Sequence, residues 1–488
     1  MNNPPDSLPP LPVIIQGGMG VGVSNWRLAR AVSSRGHLGV VSGTALAAVL
    51  VRRLQDGDVG GNVRRALAHC PLKEVARNIE ARYFIAGGRA PAQPYRLTQL
   101  YSVSPPADLL ALTIVGNFME VWLAKEGHPG VVGINLLEKI QLPTLASLYG
   151  AMLAGVDYVL MGAGIPRAIP GILDQLALGQ KVEMRIHVEG ETAGTEHRIS
   201  LDPAQFTGIP VPTLRRPKFL AIVSSSALAA TMARKASGHV DGLVVEGLSA
   251  GGHNAPPRGV PQFNERGEPI YGPRDVADLT AIRALGLPFW LAGSYADPNR
   301  LREALALGAT GVQIGTAFAF CDESGLKPEI KEAALLRSAA GTVELRTDPR
   351  ASPTGMPFKV IDLPGTVSVP EIYEHRTRTC DLGYLRQSYE KPDGTVGFRC
   401  PAEPLADFLR KGGELAESVG RKCLCNGLMA AIGFGQSIAA GETEPPIVTA
   451  GEDVQDLRRF LTGGKTSYHA ADVLNFILGN TPAAAPAI

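Results

Sequence analysis

Short runs of consecutive apolar residues, each stopped by glycine and followed by a stretch of helical periodicity, recur along this chain. Such runs mark parallel strands buried on both faces. The clearest pair is Phe289-Trp290-Leu291-Ala292-Gly293-Ser294 and Gly311-Val312-Gln313-Ile314-Gly315-Thr316. Between them, Asp297 to Gly308 reads as one amphipathic helix closed by a C-terminal glycine. Upstream, Val13-Ile14-Ile15-Gln16 runs into the glycine-rich Gly17 to Gly22, with Ser24 as cap of a helix from Asn25 to about Ser34. Gly36 to Ser42 supplies a second strand. Further strands are predicted at Val131–Leu136, Val156–Met161, Phe219–Ser224 and Gly242–Gly247. Eight such strands with helices between them predict an α/β fold of the (β/α)8, or TIM-barrel, class.

The spacing is broken twice. Between strands 2 and 3 lie two helical patterns, Val63 to about Arg82 and Pro106 to Glu126, the second apolar over much of its surface. They predict a helical insertion over the barrel mouth, or a dimer contact. After strand 4, Lys181 to Val188 and Glu196 to Leu201 alternate like a hairpin and predict a second, β-type insertion. The expected organisation is a Pro-rich leader at 1–12 and a barrel at 13–325, with insertions at about 43–130 and 181–212. A C-terminal α-rich, cysteine-containing extension at 326–479 and a disordered tail at 480–488 complete it.

At 488 residues the chain exceeds the roughly 250 of a plain barrel, as insertions and an extension require. Hydrophobic residues make up 45%, and the 6% aromatic content favours packing by Ala, Val, Leu and Gly. With 47 basic and 46 acidic residues the net charge is +1, which offers no footprint for nucleic acid and no polybasic stretch for a membrane surface. No uncharged apolar run reaches the 18 or more residues of a membrane span, and the N-terminus does not read as a signal peptide. Six cysteines in so long a chain form no disulfide scaffold, so a reducing, cytoplasmic setting is the default.

Candidate chemistry sits at the strand ends, where barrels of this class carry their active sites. The turns after strands 7 and 8 are placed to hold a phosphate: Gly293 and Gly315 let the backbone come close, while Ser294 and Thr316 donate from amide and hydroxyl. Unliganded barrels also close with Gly-Ser and Gly-Thr turns, but the pairing at strands 7 and 8 favours a phosphorylated cofactor. His253 follows Gly251 and Gly252 at the end of strand 6. An imidazole there titrates near neutrality and can take a proton or hydrogen-bond an anion; the competing reading is a satisfied loop histidine. Ser224 and Ser225 suit ligand contact or packing equally, and Asp157 and Asp241 read as capping residues at the opposite end. Cys380, Cys400, Cys423 and Cys425 gather four thiols late in the chain and are candidates for zinc or an iron–sulfur cluster. Their spacing lacks a Cys-x-x-Cys hook, so reduced structural cysteines fit as well.

Several motifs in order resemble the FMN-dependent nitronate monooxygenases, related to flavin enoyl-acyl carrier protein reductases. Ile14-Ile15-Gln16-Gly17-Gly18-Met19-Gly20 looks like that family's first-strand turn, and Gly133-Ile134-Asn135-Leu136 like its third-strand motif. Glu246-Gly247-Leu248-Ser249-Ala250-Gly251-Gly252-His253 looks like its sixth-strand motif ending in the catalytic histidine. Ala292-Gly293-Ser294 and Gly315-Thr316 look like its phosphate clamp. The resemblance implies FMN held by Gly18, Met19, Asn135, Glu246, Gly252, Gly293, Ser294, Gly315 and Thr316, with His253 catalytic. It implies oxidation of alkyl nitronates with O2 first. Reduction of an enoyl thioester of lipid or polyketide synthesis, with NAD(P)H as electron donor, is the alternative. A flavin-binding accessory or electron-transfer protein is the third reading, and a homodimer is the expected assembly. Glu246 stands where many relatives have Gln, placing a carboxylate beside a flavin that becomes anionic on reduction. That disfavours the reduced form unless the carboxyl is protonated or turned away.

Overall fold

The computed structural model describes residues 11–208, 211–438 and 442–480. Most of the Pro-rich leader, and the tail beyond Asn480, lie outside the described residues. Eight parallel strands close into a barrel: β1 (Ile14–Gln16), β2 (Leu38–Ser42), β3 (Val132–Leu137), β4 (Tyr158–Gly162), β5 (Lys218–Val223), β6 (Gly242–Glu246), β7 (Phe289–Ala292) and β8 (Gly311–Ile314). Each pairs with its sequence neighbours, and β8 closes on β1 through Ile14↔Val312 and Gln16↔Ile314. The predicted fold is the observed one.

The strands are short and almost wholly buried because one face packs the lumen and the other meets the helical ring. Ile15, Leu38, Val40, Leu160, Leu220, Val244 and Trp290 fill the lumen. Trp290 is fully buried, and its indole N–H donates to the Pro12 carbonyl at 2.7 Å, sealing the N-terminal end of the barrel. Asp157 and Asp241 also lie at that end. Asp157 accepts from the Val132 amide at 2.8 Å and Asp241 from the Phe219 amide at 2.8 Å, the anchoring role their positions predict.

Three local differences from the predicted pattern have clear causes. The first helix, Trp26–Ser33, is capped by Asn25, whose side chain accepts from the Arg27 and Leu28 amides. Ser24 is held instead by the glycine turn: its hydroxyl accepts from Met19 N at 3.0 Å and donates to Gly17 O at 2.8 Å. The pattern at Val63–Arg82 splits into two helices, Asn62–His69 and Lys73–Tyr83, because Pro71 removes an amide and bars helical backbone at Cys70.

The third difference concerns Ala107–Lys125. This helix lies against the outer wall, packed on Trp26–Ser33, Leu46–Gln55 and Thr144–Leu153, rather than over the mouth. It serves as the barrel's outer helix between β2 and β3, and its apolar circumference follows from being covered on every side. A Cβ at Gly150 would stand 2.1 Å from Ile114 O, and one at Gly116 2.7 Å from Leu46 O, so glycine sets both crossings. Among the described residues it is the one helix long and apolar enough to cross a membrane, and 78% of its 18-residue apolar window is buried within the protein. Its buried Glu120 is matched by Arg53 and by the Trp26 amide, which donates at 2.8 Å.

The second insertion is a hairpin, Val182–Arg185 against Arg198–Leu201, with Val182, Met184, Ile199 and Leu201 turned inward. The C-terminal extension begins with the helix Pro328–Ala340 and ends with Ala470–Ile477. It also holds two four-residue hairpins, Leu345–Asp348 with Phe358–Ile361 and Gln387–Glu390 with Val396–Arg399. The extension folds back over the C-terminal ends of the barrel strands.

Candidate active site

A cavity of about 450 Å³ opens at those strand ends. That is the size of a pocket for a drug-sized or cofactor-sized molecule. Its floor is the β1 turn, Asn135 of β3, Glu246 of β6 and the turns after β7 and β8. The extension supplies the far wall through Phe358, Tyr384, Cys425, Ile447 to Ala450, and Asp453. All ten residues singled out from the sequence line it: Gly18, Met19, Asn135, Glu246, Gly252, His253, Gly293, Ser294, Gly315 and Thr316.

The glycines are there because backbone must pass close to backbone or side chain. A Cβ on Gly18 would stand 2.3 Å from the Asn135 Cβ, and one on Gly293 2.9 Å from the Ser249 hydroxyl. Gly293 also holds φ at +100°, and Ser294 beside it holds +56°, an unusual angle for a residue with a side chain. Strain of this sort persists where the surrounding structure fixes the turn, often at ligand sites. The Thr316 hydroxyl accepts from the Gly451 amide at 2.8 Å, which leaves its proton free to donate.

Four buried polar atoms of residues lining this cavity have no partner among the described residues: Asn135 Oδ1, Asn254 Oδ1, Ser294 Oγ and Gln313 Oε1. Buried polar atoms are nearly always satisfied, so their convergence on one space fits a polar ligand. A phosphorylated ring cofactor meets these demands, with amides and hydroxyls at strands 7 and 8 for the phosphate and side-chain amides deeper in for the ring.

Electrostatics separate the two titratable groups of the β6 segment. The His253 ring is largely enclosed, with Nε2 2.7 Å from the Ser352 hydroxyl and its ring 4.9 Å edge-on from Phe358. Burial, helped by the nearby Lys139 cation, holds its pKa down to about 4. The expectation that this imidazole titrates near neutrality is therefore corrected: it is neutral there because a charged ring would lose its hydration and meet a like charge. Glu246 moves the other way. Burial pushes its carboxyl up to about 7, so near neutrality it is divided between acid and carboxylate. It faces the cavity rather than turning away.

Ser224 borders the cavity, whereas Ser225 caps the next helix by accepting from the Leu228 amide at 3.2 Å. Cys380, Cys400, Cys423 and Cys425 share the wall of a separate, water-sized cavity of about 10 Å³. Among the described residues no group of three or more His, Cys, Asp or Glu is arranged to hold a metal ion. The four thiols are free, and burial pushes each pKa upward, as suits reduced structural cysteines. Sequence reading missed Gln313, Ser352, Thr449 and Asp453. Gln313 left a trace, a lone amide inside an apolar strand; the others lie in irregular stretches without a pattern.

Fold and site together define a (β/α)8 barrel with a cofactor-sized, glycine-floored cavity at its C-terminal face. Residues 175–361 match the model of the nitronate monooxygenase family, a stretch that holds the β6, β7 and β8 motifs whose resemblance to that family was noted from the sequence. Over 134 residues it is 37% identical to a nitronate monooxygenase of Pseudomonas aeruginosa, covering 27% of this chain and 36% of that protein. Over 229 residues it is 29% identical to (3aS,4S,5R,7aS)-5-hydroxy-7a-methyl-1-oxo-octahydro-1H-indene-4-carboxyl-CoA dehydrogenase of Mycobacterium tuberculosis, covering 43% of this chain and 59% of that one. The chain thus spans about a third to three-fifths of the length of these relatives. The structure of FabK from Thermotoga maritima superposes with a TM-score of 0.45 at 16% identity, covering 96% of this chain and 92% of that one.

Proposed function

We propose that this protein is an FMN-dependent oxidoreductase whose substrate is a neutral, largely apolar molecule, best matched by an α,β-unsaturated acyl thioester. Gly293, Ser294, Gly315 and Thr316 would hold the phosphate, and Gly18, Met19, Asn135 and Gln313 would lie along the ring. Bound FMN supplies hydride chemistry, taking two electrons from one partner and passing them to another. The protein's part is to bind, orient and keep water out. Glu246 in its acid form removes the conflict between a carboxylate and a reduced, anionic flavin.

One observation carries the choice of substrate. Among the described residues lining the cavity there is no Lys or Arg, and the two charged types present are Glu246 and Asp453. Away from the phosphate turns, a nitronate anion would meet Glu246 and no cation to replace its hydration. A thioester carbonyl needs only a hydrogen bond, and the hydrophobic wall contributed by Ile222, Met356, Phe358, Leu428 and Ile447 suits an acyl chain. Nitronate oxidation with O2 is the second reading, favoured by the domain match and the Pseudomonas relative.

Anaerobic reduction of the bound flavin, followed by its absorbance, tests the choice. Bleaching by NAD(P)H and recovery on adding a 2-enoyl thioester is the expected result. Bleaching by an alkyl nitronate alone, with no response to NAD(P)H, would replace the first reading by the second. A protein that binds flavin and turns over neither would be the accessory protein of the third reading.

A further inference from the structure

We propose that Glu246 is the catalytic acid of this site, delivering the proton that completes reduction of the substrate's carbon–carbon double bond, a role the family resemblance would give to His253. This rests on the enoyl-thioester reading above.

Reducing a C=C bond requires a hydride and a proton on adjacent carbons. FMN held by the residues named above would supply the hydride that forms the C–H bond at the β carbon, its two electrons coming from NAD(P)H. The π bond breaks, and its electron pair takes the proton of the Glu246 carboxylic acid at the α carbon. Glu246 is left as carboxylate and regains a proton from solvent between turnovers. The step needs an acid that still carries its proton near neutrality and sits where the acyl chain lies.

Glu246 meets both conditions by position. It is the last residue of β6, in register with Ala292 of β7, and it lines the cavity between the glycine-rich floor and the wall built by the extension. No residue of either sign is near enough to shift it; burial alone retains its proton. The titratable groups around the same space do not compete. On its own segment, His253 is tied to Ser352 at 2.7 Å and is neutral, with little affinity for a proton it could pass on. Lys139, after β3, acts on His253 and does not line the cavity. Tyr295 after β7 and Tyr384 and Cys425 of the extension are pushed by burial toward holding their protons more firmly. Burial also pushes the Asp453 carboxyl up, but it is paired with Arg459 at 3.6 Å and lies on the phosphate side of the cavity next to Ser294, away from the acyl wall. Glu246 is the acid left with both a proton to give and a path to the substrate.

The test uses the FMN-loaded enzyme and the variants Glu246→Gln, Glu246→Asp and His253→Ala. Three readouts are needed: the pH profile of kcat/KM with a 2-enoyl thioester, the rate of flavin bleaching by NAD(P)H without thioester, and the infrared carbonyl band of a protonated carboxyl. Wild type should show kcat/KM falling tenfold per pH unit above about 7. Glu246→Gln should lose on the order of a hundredfold or more in kcat/KM, lose that alkaline limb, and lose the carboxyl band. Its flavin should still bleach completely with NAD(P)H, and no more slowly than in wild type since the carboxylate that disfavours reduced flavin is gone, which shows the fold and cofactor site intact. Glu246→Asp should retain the limb, and His253→Ala should keep both limb and band. A Glu246→Gln enzyme with the wild-type profile, or a limb that vanishes with His253 instead, overturns the proposal. If wild type oxidises nitronate and ignores enoyl thioesters, the reading beneath it falls, and that result is distinct from either of these.

Discussion

Replacing Gly293 by alanine bears directly on the turn that the cofactor assignment depends on. The residue closes β7 at φ +100°, and an added Cβ would lie 2.9 Å from Ser249 Oγ and 3.3 Å from both Ala250 N and Gly247 O. The left-handed backbone costs a side-chain-bearing residue about 1–2 kcal/mol. Crowding against two backbone atoms and a hydroxyl adds about 1–3 kcal/mol. The turn after β6 cannot yield freely, because Gly247 N donates to Ala292 O at 2.8 Å. The strain is therefore relieved by moving the Gly293–Ser294 amides away from the phosphate position. A penalty of about 2–5 kcal/mol, if taken from binding, weakens FMN by roughly 30-fold to several thousandfold. Stripped protein titrated with FMN and followed by quenching of flavin fluorescence measures this, with thermal unfolding of the apoprotein run alongside. Gly286→Ala is the matched control: φ is +74°, yet nothing lies within 4 Å of its Cβ, so it pays the backbone cost without touching the site. Wild-type affinity and wild-type stability in Gly293→Ala would refute the reasoning.

Three further outcomes are expected. Burial raises the Glu246 pKa from 4.5 to about 7, so the native apoprotein binds more protons than the unfolded chain between those values and loses stability as pH rises through them; Glu246→Gln should abolish this loss, worth about 3 kcal/mol by pH 8, as read by urea unfolding at pH 5 and 8. His253 is displaced the opposite way, so its ring should show no NMR titration between pH 5.5 and 8, and its contribution should weaken stability as pH falls from about 6.5 toward 4; a midpoint near 6.5 would contradict its enclosure. Trp290→Phe strips the buried Pro12 carbonyl of its donor at the opposite end of the barrel, which should cost about 1–3 kcal/mol in unfolding free energy while leaving FMN affinity unchanged.

The barrel was legible because its signal is local. A parallel strand buried on both faces leaves an uninterrupted apolar run, and a turn beneath a ligand leaves glycine at its end. Both survive in sequence order, so β1 to β8 and the ten cavity residues could be read without coordinates. The insertion at 107–125 was half legible: its apolar circumference announced burial, but the partners that bury it, Leu46–Gln55 and Thr144–Leu153, lie on separate segments. The hairpins of the extension were not legible, since four-residue strands are too short to set a period of two against noise. Nor was the protonation of His253. An imidazole after two glycines looks the same in sequence whether water reaches it or Ser352, Phe358 and Lys139 surround it.

That last point locates where the chemistry of this site is decided. The barrel supplies positions, but the extension supplies the environment. Gly252 N donates to Thr449 Oγ1 at 2.9 Å, Glu452 N donates to Ser249 O at 3.0 Å, and a Cβ on Gly251 would stand 2.5 Å from the Ala450 carbonyl carbon. The strap is held to the β6 turn by one backbone–backbone bond, by the Thr449 hydroxyl and by close backbone approach at Gly251. Ser352 and Phe358 of the same extension fix the imidazole. Water excluded by that wall is what keeps His253 neutral and Glu246 partly protonated, since burial is the leading cause of both shifts. A barrel with the same strand ends and an open mouth would hold a charged carboxylate and a titrating histidine, and would suit a different substrate. Divergence among barrels of this kind then needs no change at the strand-end residues, only a change in what covers them.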